Sequence, residues 1–259
     1  MSNTATVLAF DFGASSGRAI RAVYDGQNLN YEEIHRFENI PIEKDGHLFW
    51  DVETLLKEIH TAIQKAGTFD SLGFDTWGVE FGLLDTDGHL LANPVHYRDA
   101  PTNGKPEQAA ARMPAEELYA HTGNQIMAIN TLFQLLALRE QDPELLQKAE
   151  QVLFMPDLFA ALLGAEPVCE RSIASTSQML DPRTGQWSRE VLAAYGLNEN
   201  HFASLVASGT VTGTLTTGAK IIAVAGHDTQ CASAAMPCAE EDAEHTAFLS
   251  CGTWSLLGP

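Results

Sequence analysis

The sequence is poor in basic residues. Its 15 lysines and arginines stand against 34 aspartates and glutamates, which gives a formal net charge of −19 over 259 residues. Because binding to a nucleic-acid backbone requires a basic face, this balance argues against a nucleic-acid partner. It also argues against docking on an anionic membrane surface. A polyanionic ligand would therefore need local positive potential from backbone amides, a divalent cation or a few arginines.

Cysteine and long apolar runs are also scarce. The four cysteines form no Cys-x-x-Cys pair, and the nine histidines show no His-Glu-x-x-His spacing, so neither a zinc site nor a disulfide framework is expected. No apolar run reaches the length of a transmembrane helix, and residues 1–6 lack the basic region of a signal peptide. These absences favour a protein of the reducing cytoplasm.

What the chain does contain is an ordinary globular composition, with 45% hydrophobic and 19% charged residues, and a length sufficient for a large core. The apolar pattern predicts strands over residues 6–12, 18–24, 29–37 and 72–77. Asp51 is placed to cap a helix between the third and fourth of these strands. Three strands, a helix and a further strand indicate a mixed α/β sheet and not a Rossmann unit.

The middle of the chain is predicted to be mostly helical. Helical patterns extend over residues 103–163 and are clearest over 131–139. A loop or short hairpin over 208–218 precedes an apolar strand at 221–225. The sequence contains no repeat, low-complexity segment or clear interdomain linker. The prediction is therefore one domain over residues 1–259 with a helical insertion or subdomain.

A glycine- and serine-rich turn, DFGASSGR at residues 11–18, joins the first two strands. Gly13 and Gly17 would let the backbone approach an anion closely. The two serines and the local amides could then donate to phosphate oxygens, and Arg18 adds positive charge. Asp11 would lie within reach of a magnesium ion, through water. A plain hairpin turn is the alternative.

A second such turn, SCGTWS at residues 250–255, follows a predicted strand at 246–249. Gly252 permits close approach, and Thr253 and Ser255 offer hydroxyl donors. Two such turns on one sheet could hold a triphosphate from opposite sides. The pair therefore favours a phosphate site, whereas each turn alone does not.

An acidic residue, Asp228, lies in the sequence GHDT at residues 226–229, where an apolar strand ends and a small-residue helix begins. As a general base it could take the proton of a hydroxyl that attacks a γ-phosphate, because phosphoryl transfer depends mainly on positioning and electrostatics. A helix N-cap role is the alternative, since Asp is preferred there. His227 could orient Asp228, contact substrate or pack as a polar core residue.

Two further segments offer contacts of sugar size. In DTWGVEF at residues 75–81, Trp77 could pack on the C–H face of a sugar and Gly78 could leave room for it. Core packing is the alternative for Trp77. In the sequence HYRD, Arg98 could donate two hydrogen bonds to vicinal hydroxyls, with a surface ion pair to Asp99 as the alternative.

Taken together, these motifs resemble those of the FGGY carbohydrate kinases. The matching segments run in order along essentially the whole chain: DFGASSGR, IHRF, FDTWGVEF, HYRD, GHDT and SCGTWSLLG. NTLFQL at residues 130–135 and MPDLF at 155–159 make the chain most similar to the rhamnulokinase branch of that family. The combination of GASSGR, DTWGV and GTWSL is specific, whereas each motif alone is not.

The resemblance implies an α/β fold of the ribonuclease H-like, actin-like ATPase type, with a mixed sheet flanked by helices and two domains around a cleft. It implies magnesium-dependent transfer of phosphate from ATP to the 1-hydroxyl of L-rhamnulose. By the same resemblance, Asp228 would be the proton acceptor, and Gly78, His227 and Thr229 would contact the ketose. The residues that would contact the ATP phosphates are Ala14, Ser15, Ser16, Gly17, Arg18 and Thr253.

The chain departs from the family pattern at three places. Glu80 stands where Asp is usual, which leaves a sugar or metal contact there open, and Gly226 stands where rhamnulokinases carry Ser. The larger departure is the end, because the family has a second domain beyond the position of Pro259, with the adenine pocket and the other wall of the cleft. The chain is therefore expected to be the sugar-binding N-terminal domain and to be inactive alone.

Two alternatives stay open at this point. One is a kinase for another ketose or polyol, such as fuculose or xylulose. The other is a non-catalytic sugar-binding or interaction module. Trp254, Leu256 and Leu257 are expected to pack against the second domain, so that without it they leave an apolar patch that drives self-association.

Overall fold

The computed structural model describes residues 4–99, 101–251 and 255–258. Within these ranges the strands are β1 (Ala5–Phe12), β2 (Ser16–Tyr24), β3 (Leu29–Glu38), β4 (Ile42–Lys44), β5 (His47–Phe49), β6 (Ser71–Thr76), β7 (Phe81–Leu84), β8 (Gln151–Phe154), β9 (Val168–Glu170), β10 (Leu180–Asp181), β11 (Gln186–Trp187), β12 (Ser204–Val206), β13 (Thr210–Thr214), β14 (Lys220–Ala223), β15 (Phe248–Cys251) and β16 (Ser255–Gly258). The α-helices are α1 (Val52–Ala66), α2 (Lys105–Ala109), α3 (Ala115–Thr122), α4 (Thr131–Gln141), α5 (Pro143–Lys148), α6 (Met155–Leu162), α7 (Arg171–Ala174), α8 (Arg189–Tyr195) and α9 (Asp228–Ala234). Among the helices of the described ranges, none has the length and hydrophobicity needed to cross a lipid bilayer.

A six-stranded sheet in the order β13-β14-β6-β1-β2-β3 forms the centre of the fold. Strands β1 to β3 are an antiparallel meander, whereas β1, β6 and β14 run parallel to one another. The chain leaves β3 through the β4–β5 hairpin and α1 before it enters β6. The predicted mixed α/β sheet is therefore confirmed, and the segment at 208–218 contributes β13, which pairs antiparallel with β14.

Helix α1 begins where the sequence predicts. The Asp51 side chain accepts a hydrogen bond from the Thr54 amide at 3.1 Å, which satisfies one of the free donors of the first turn. Leu55 and Ile59 are buried, and burial of each such side chain stabilises the fold by about 1.5–3 kcal/mol.

Phenylalanines from four elements form the centre of the core. The Phe10 and Phe74 rings stack with centroids 4.8 Å apart, and Phe12 stacks on Phe159 of α6 at the same distance. Phe37 of β3 meets Phe12 edge-on at 5.3 Å. Helix α6 therefore covers the central strands of the sheet on the face that these rings share.

The contact between β6 and β14 is irregular. Ser71 pairs with Lys220 and Leu72 with Ile221, but the next bridge joins Thr76 to His227. Between the two contacts, a side chain at Gly73 would meet Val224, whose Cγ1 lies 2.6 Å from the position of a β-carbon there.

The prediction that residues 103–163 are mostly helical is wrong in one part. Helix α4 confirms the clearest helical pattern, but Gln151–Phe154 forms β8 and pairs antiparallel with β7. Periodicity does not distinguish a short apolar run in a helix from one in a buried strand, so the partner strand decides the conformation.

Candidate active site

The carboxyl ends of three parallel strands meet at one edge of the sheet. The β1–β6 register places Asp11 opposite Asp75. Thr76 donates its amide to the carbonyl oxygen of Gly226 at 2.9 Å and bridges to His227. Segments that are about 60 and 150 residues apart in sequence are thereby brought together. In open α/β sheets this edge is where ligands bind.

Acidic side chains converge at this edge. Burial, together with the charges of Asp11 and Asp228, raises the pKa of Asp75 to about 8, while the charge of Arg18 opposes the shift. Arg18 donates to Asp11 Oδ2 from Nε at 2.8 Å and from Nη2 at 2.5 Å. Carboxylate oxygens are the ligands that magnesium prefers, and the negative charges of Asp11 and Asp228 are among the causes that raise the pKa of Asp75, after burial. Among the described residues these acids do not form a group whose ligand atoms lie within 4.8 Å of one another, so a magnesium contact of Asp11 stays a prediction.

A second group of potential ligands lies elsewhere. Asp85, Asp87 and His89 bring one ligand atom each within 4.8 Å of one another. They lie in a turn after β7. Exposed acidic groups of this kind are common in proteins without a bound ion.

Asp228 is the first residue of α9 and not its cap. The N-cap is His227, whose side chain makes no cap hydrogen bond, so Asp228 does not occupy the cap position, although its carboxylate satisfies a backbone donor of the first turn. Asp228 Oδ1 accepts from the Thr229 amide at 2.6 Å and from Thr229 Oγ1 at 3.2 Å. The side chain is 44% exposed, so an incoming hydroxyl group can reach it.

His227 and Gly78 lie against each other. His227 Nε2 is 3.4 Å from Asp228 Oδ1, and it would be 3.2 Å from a β-carbon built on Gly78. Burial lowers the pKa of His227, opposed by the charge of Asp228, so the ring is neutral at neutral pH and can both donate and accept. The missing side chain at Gly78 is what allows the two loops to meet.

The Trp77 ring packs in the core. It stacks on Trp50 with centroids 4.0 Å apart, and the residue is only 6% exposed. The His96 ring packs against Trp50 in a tilted arrangement, with ring centroids 4.1 Å apart. Packing of Trp77 on the C–H face of a sugar does not match this geometry, because almost none of the ring is accessible. The core-packing alternative accounts for Trp77.

Glu80 lies inside the same aromatic group. It is 1% exposed, and neither carboxyl oxygen has a hydrogen bond of normal geometry with the described residues. Burial raises the pKa of Glu80 well above its usual range, while the Trp50 indole, the Tyr97 amide and the Trp77 indole oppose the shift. Buried in this way, Glu80 has no surface to offer a sugar or a metal ion.

Arg98 lies at the outer end of this aromatic group. Its guanidinium carbon is 5.4 Å from the centroid of the Tyr97 ring, within the range of a cation–π contact. Asp99 accepts from the Leu48 amide at 2.6 Å and lies 3.2 Å from His47 Nδ1. Arg98 is exposed, and its contact with sugar hydroxyls stays a prediction.

The first glycine-rich turn is a hairpin braced by a residue that the sequence did not indicate. Asn39 donates from Nδ2 to the Gly13 carbonyl oxygen at 2.9 Å, and its backbone amide donates to the Ser15 carbonyl oxygen at 3.0 Å. Glycine is needed at position 17 for a different reason from the one predicted, because a β-carbon there would lie 2.2 Å from the Phe37 ring. The missing side chain at Gly17 serves the core, and contact of this turn with phosphate stays a prediction.

The second turn is only partly described. β15 and β16 form an antiparallel hairpin that is a separate two-stranded sheet, so the premise that both turns lie on one sheet is wrong for the described residues. Ser255 is exposed. Gly252, Thr253 and Trp254 lie outside the described residues, so the proposed phosphate contact of Thr253 stays a prediction.

The backbone at Val79 is held in an unusual conformation. Its φ of 69° is rare for a β-branched residue. The Val79 amide donates to Thr176 Oγ1 at 3.0 Å, and its carbonyl oxygen accepts from Thr131 Oγ1 at 2.6 Å and from Gln134 Nε2 at 3.3 Å. Such strain persists only where surrounding contacts impose it, and it is often found at functional sites.

Comparison with known proteins agrees with this architecture. Residues 6–234 match the model of the FGGY family of carbohydrate kinases, N-terminal domain. The rhamnulokinase of Bacteroides thetaiotaomicron is 42% identical over 264 aligned positions, which cover 97% of this chain and 54% of that protein. The chain therefore spans about half the length of this curated relative.

Solved structures show the same fold at low identity. A carbohydrate kinase from Novosphingobium aromaticivorans matches with a TM-score of 0.79 and 20% identity, over 99% of this chain and 56% of its own. Gluconate kinase from Lactobacillus acidophilus matches with a TM-score of 0.75 and 17% identity, over 86% and 48%. Plasmodium falciparum glycerol kinase, solved with ADP, matches with a TM-score of 0.71 and 16% identity, over 88% and 49%.

These likenesses confirm the predicted actin-like ATPase fold. The family match covers most of the chain and includes Asp11 and Asp75 near the ends of β1 and β6, and Asp228 at the start of α9. The chain therefore belongs to the FGGY family of carbohydrate kinases, of which it matches the N-terminal domain.

Proposed function

We propose that this chain is the sugar-binding part of an ATP-dependent kinase that phosphorylates L-rhamnulose on its 1-hydroxyl group, a step in the use of L-rhamnose. The observation that carries the proposal is the 42% identity to a rhamnulokinase over 97% of the chain. The strand edge supports it, because Asp228, His227 and Gly78 meet there with accessible surface on the acid.

In the proposed reaction Asp228 accepts the proton of the 1-hydroxyl group as its oxygen attacks the γ-phosphorus. The new oxygen–phosphorus bond forms, the bond from the γ-phosphorus to the bridging oxygen breaks, and ADP leaves. Thr229 orients the carboxylate through its two hydrogen bonds to Oδ1. His227, neutral and beside Gly78, is suited to exchange a hydrogen bond with a sugar hydroxyl.

The remaining sugar contacts are assigned to Gly78, His227, Thr229 and Arg98. Trp77 supports this loop from the core through its stack on Trp50.

ATP is the proposed phosphate donor, in keeping with the family and with the glycerol kinase solved with ADP. Asp11, held by Arg18, would hold magnesium through water. When bound, that ion neutralises charge on the polyphosphate. The residues proposed to contact the ATP phosphates are Ala14, Ser15, Ser16, Gly17, Arg18 and Thr253.

The test of the base is Asp228→Asn in the two-domain kinase of which this chain is proposed to be the sugar-binding part, referred to below as the full-length parent protein. We expect kcat for L-rhamnulose to fall by about 100-fold or more, the usual size of a general-base contribution, while KM for the sugar changes little. Asp87→Asn removes the same charge at an exposed turn and serves as the matched control. A variant that keeps full activity without the Asp228 carboxylate contradicts the assignment.

The test of the substrate is a panel of ketoses in a coupled ADP-release assay. L-rhamnulose is expected to have the highest kcat/KM. A higher kcat/KM for L-fuculose, D-xylulose or a polyol would support the proposed kinase activity but contradict L-rhamnulose as its substrate. Absence of turnover with every sugar of the panel contradicts the proposed function as a whole.

A further inference from the structure

Glu170 is a buried carboxyl group that takes no part in the proposed reaction. It ends β9 and is 1% exposed. Its Oε2 accepts from the Ser172 amide at 2.9 Å, the Ile173 amide at 3.2 Å and the Gly226 amide at 3.1 Å. Its Oε1 accepts from Ser208 Oγ at 2.7 Å. One side chain therefore joins three segments of the chain.

A capping role alone does not account for this residue. Glu170 is the N-cap of α7, but Ser or Asp usually fills that position with a shorter side chain. Burial of a carboxyl group is costly unless its oxygens are fully hydrogen-bonded. The longer side chain is needed for the two contacts outside the helix, with Gly226 and Ser208.

The first of these contacts leads to the proposed base. Gly226 directly precedes His227 and Asp228, and its carbonyl oxygen accepts from the Thr76 amide at 2.9 Å. Both polar groups of the Gly226 backbone are therefore held, the amide by Glu170 and the carbonyl by the end of β6.

The helix that Glu170 caps leads to the other loop of the site. Thr176, just after α7, donates from Oγ1 to the Ile173 carbonyl oxygen at 2.7 Å and accepts from the Val79 amide at 3.0 Å. The Thr176 methyl group would lie 3.0 Å from a β-carbon on Gly78. The strained loop at Gly78 and Val79 thus packs against the turn that follows α7, the helix capped by Glu170.

We propose that Glu170 is a positioning residue that holds the His227–Asp228 loop and the Gly78–Val79 loop at a fixed spacing. The inference rests on the proposed function of these loops as the sugar site. Glu170 acts through Gly226 and Thr176 and touches no substrate. Its loss therefore misplaces the acid relative to the sugar, and a misplacement of about 1 Å can cost about 100-fold in rate.

The test uses the full-length parent protein and three substitutions of Glu170. Glu170→Ala is expected to lower kcat/KM for the sugar by about 100-fold, with a fall in kcat, a rise in sugar KM and little change in ATP KM. Glu170→Gln is expected to retain activity to within about threefold, because its amide oxygen can accept at Oε2 while its NH2 donates to Ser208. Glu170→Asp can still cap α7, but its shorter side chain reaches Gly226 less well, so this variant should lose activity. It provides the test if Glu170→Ala does not fold.

Two controls separate positioning from general loss of stability. Ser208→Ala removes the single contact at Oε1 and should leave kcat/KM nearly unchanged. Val191→Ala removes buried side-chain volume in α8, outside the segments that Glu170 joins. If Val191→Ala produces the same kinetic pattern as Glu170→Ala at temperatures where both are folded, or if Glu170→Gln loses as much as Glu170→Ala, the inference is overturned.

Hydrogen exchange distinguishes failure of this inference from failure of the proposed function. Without substrate, Glu170→Ala or Glu170→Asp should speed amide exchange together in residues 78–80 and 226–229. If the parent phosphorylates no sugar but both segments still loosen together, positioning stands and the proposed function fails. If the parent is active and neither exchange nor kinetics responds to these substitutions, the positioning role is wrong.

Discussion

At position 17 the missing side chain is what lets the Phe37 ring pack beneath the first hairpin. A β-carbon there would lie 2.2 Å from the ring, so Gly17→Ala should destabilise the chain by about 1–3 kcal/mol, as overpacking usually does. Urea unfolding of Gly17→Ala, Phe37→Ala and the double variant measures the coupling. The double variant should cost less than the sum of the single ones.

The control for this prediction is Ser15→Ala. Ser15 is exposed in the same hairpin, so its loss should change the unfolding free energy by less than about 0.5 kcal/mol. Additive effects of Gly17→Ala and Phe37→Ala would mean that the glycine serves another purpose.

Asp75 makes stability depend on pH in a definite direction. Because burial and neighbouring acids raise its pKa from 3.8 to about 8, its protonated form favours the folded state below pH 4. That contribution is lost as the pH rises through 8. Asp75→Asn keeps a neutral group of similar shape, so its melting temperature relative to the wild type should increase between pH 5 and pH 9.

The exposed Asp87→Asn variant provides the comparison for Asp75. It removes the same formal charge, so it reports any general effect of net charge on melting. A melting difference for Asp75→Asn that stays flat from pH 5 to pH 9, or that follows the Asp87→Asn control, would show that Asp75 does not titrate in this range.

At the scale of elements, local signals in the sequence were sufficient for several features. The cap at Asp51 needs only the Thr54 amide three residues on, and the hairpin at residues 11–18 follows from two apolar runs and a glycine-rich turn. These features depend on neighbours along the chain. For that reason they could be predicted without the fold.

Features that depend on distant partners could not be predicted in this way. Trp77 is in the core because Trp50 stacks on it, and Glu80 is buried by the same group. Residues 151–154 form a strand because β7 lies beside them. Glu170 bonds to Gly226, 56 positions away, and no local pattern signals that contact.

The β15–β16 hairpin exposes an apolar surface. Leu249 and Leu257 are cross-strand partners and are 62% and 76% exposed, which is consistent with the expected apolar patch. We predict concentration-dependent self-association of the 259-residue chain in light scattering. Because the net charge of −19 opposes association, high salt should strengthen it by screening.

The test variant for this hairpin carries both Leu249→Glu and Leu257→Glu. The matched control is Leu29→Glu on β3. Leu29 is also exposed, at the far edge of the main sheet. The double variant should be monomeric, whereas Leu29→Glu should associate as the wild type does. If both variants associate equally, the hairpin is not the contact surface.

At the scale of the whole molecule, the chain spans about half of its rhamnulokinase relative. Closure of a second domain normally excludes water and completes such a site. We therefore expect the 259-residue chain to bind L-rhamnulose in calorimetry but not to turn over ATP. Asp228→Asn in this chain should leave sugar binding measurable, because the base acts in the transfer step.

The outcome that contradicts this expectation is sustained turnover by the 259-residue chain at a rate proportional to its concentration. The full-length parent, assayed in parallel, gives the rate to which any residual activity is compared. Failure of the chain to bind the sugar would instead place the sugar contacts outside these residues.

The irregular contact between β6 and β14 has a consequence for how the gene can change. Between the Leu72–Ile221 pair and the Thr76–His227 bridge, the chain advances by six residues on the β14 side and by four residues on the β6 side. The two additional residues carry Asp228 to the edge of the sheet, and Gly73 leaves room for Val224 beneath them. Insertion or deletion of a single codon between positions 222 and 226 would therefore move the acid, even if every side chain at the site were kept.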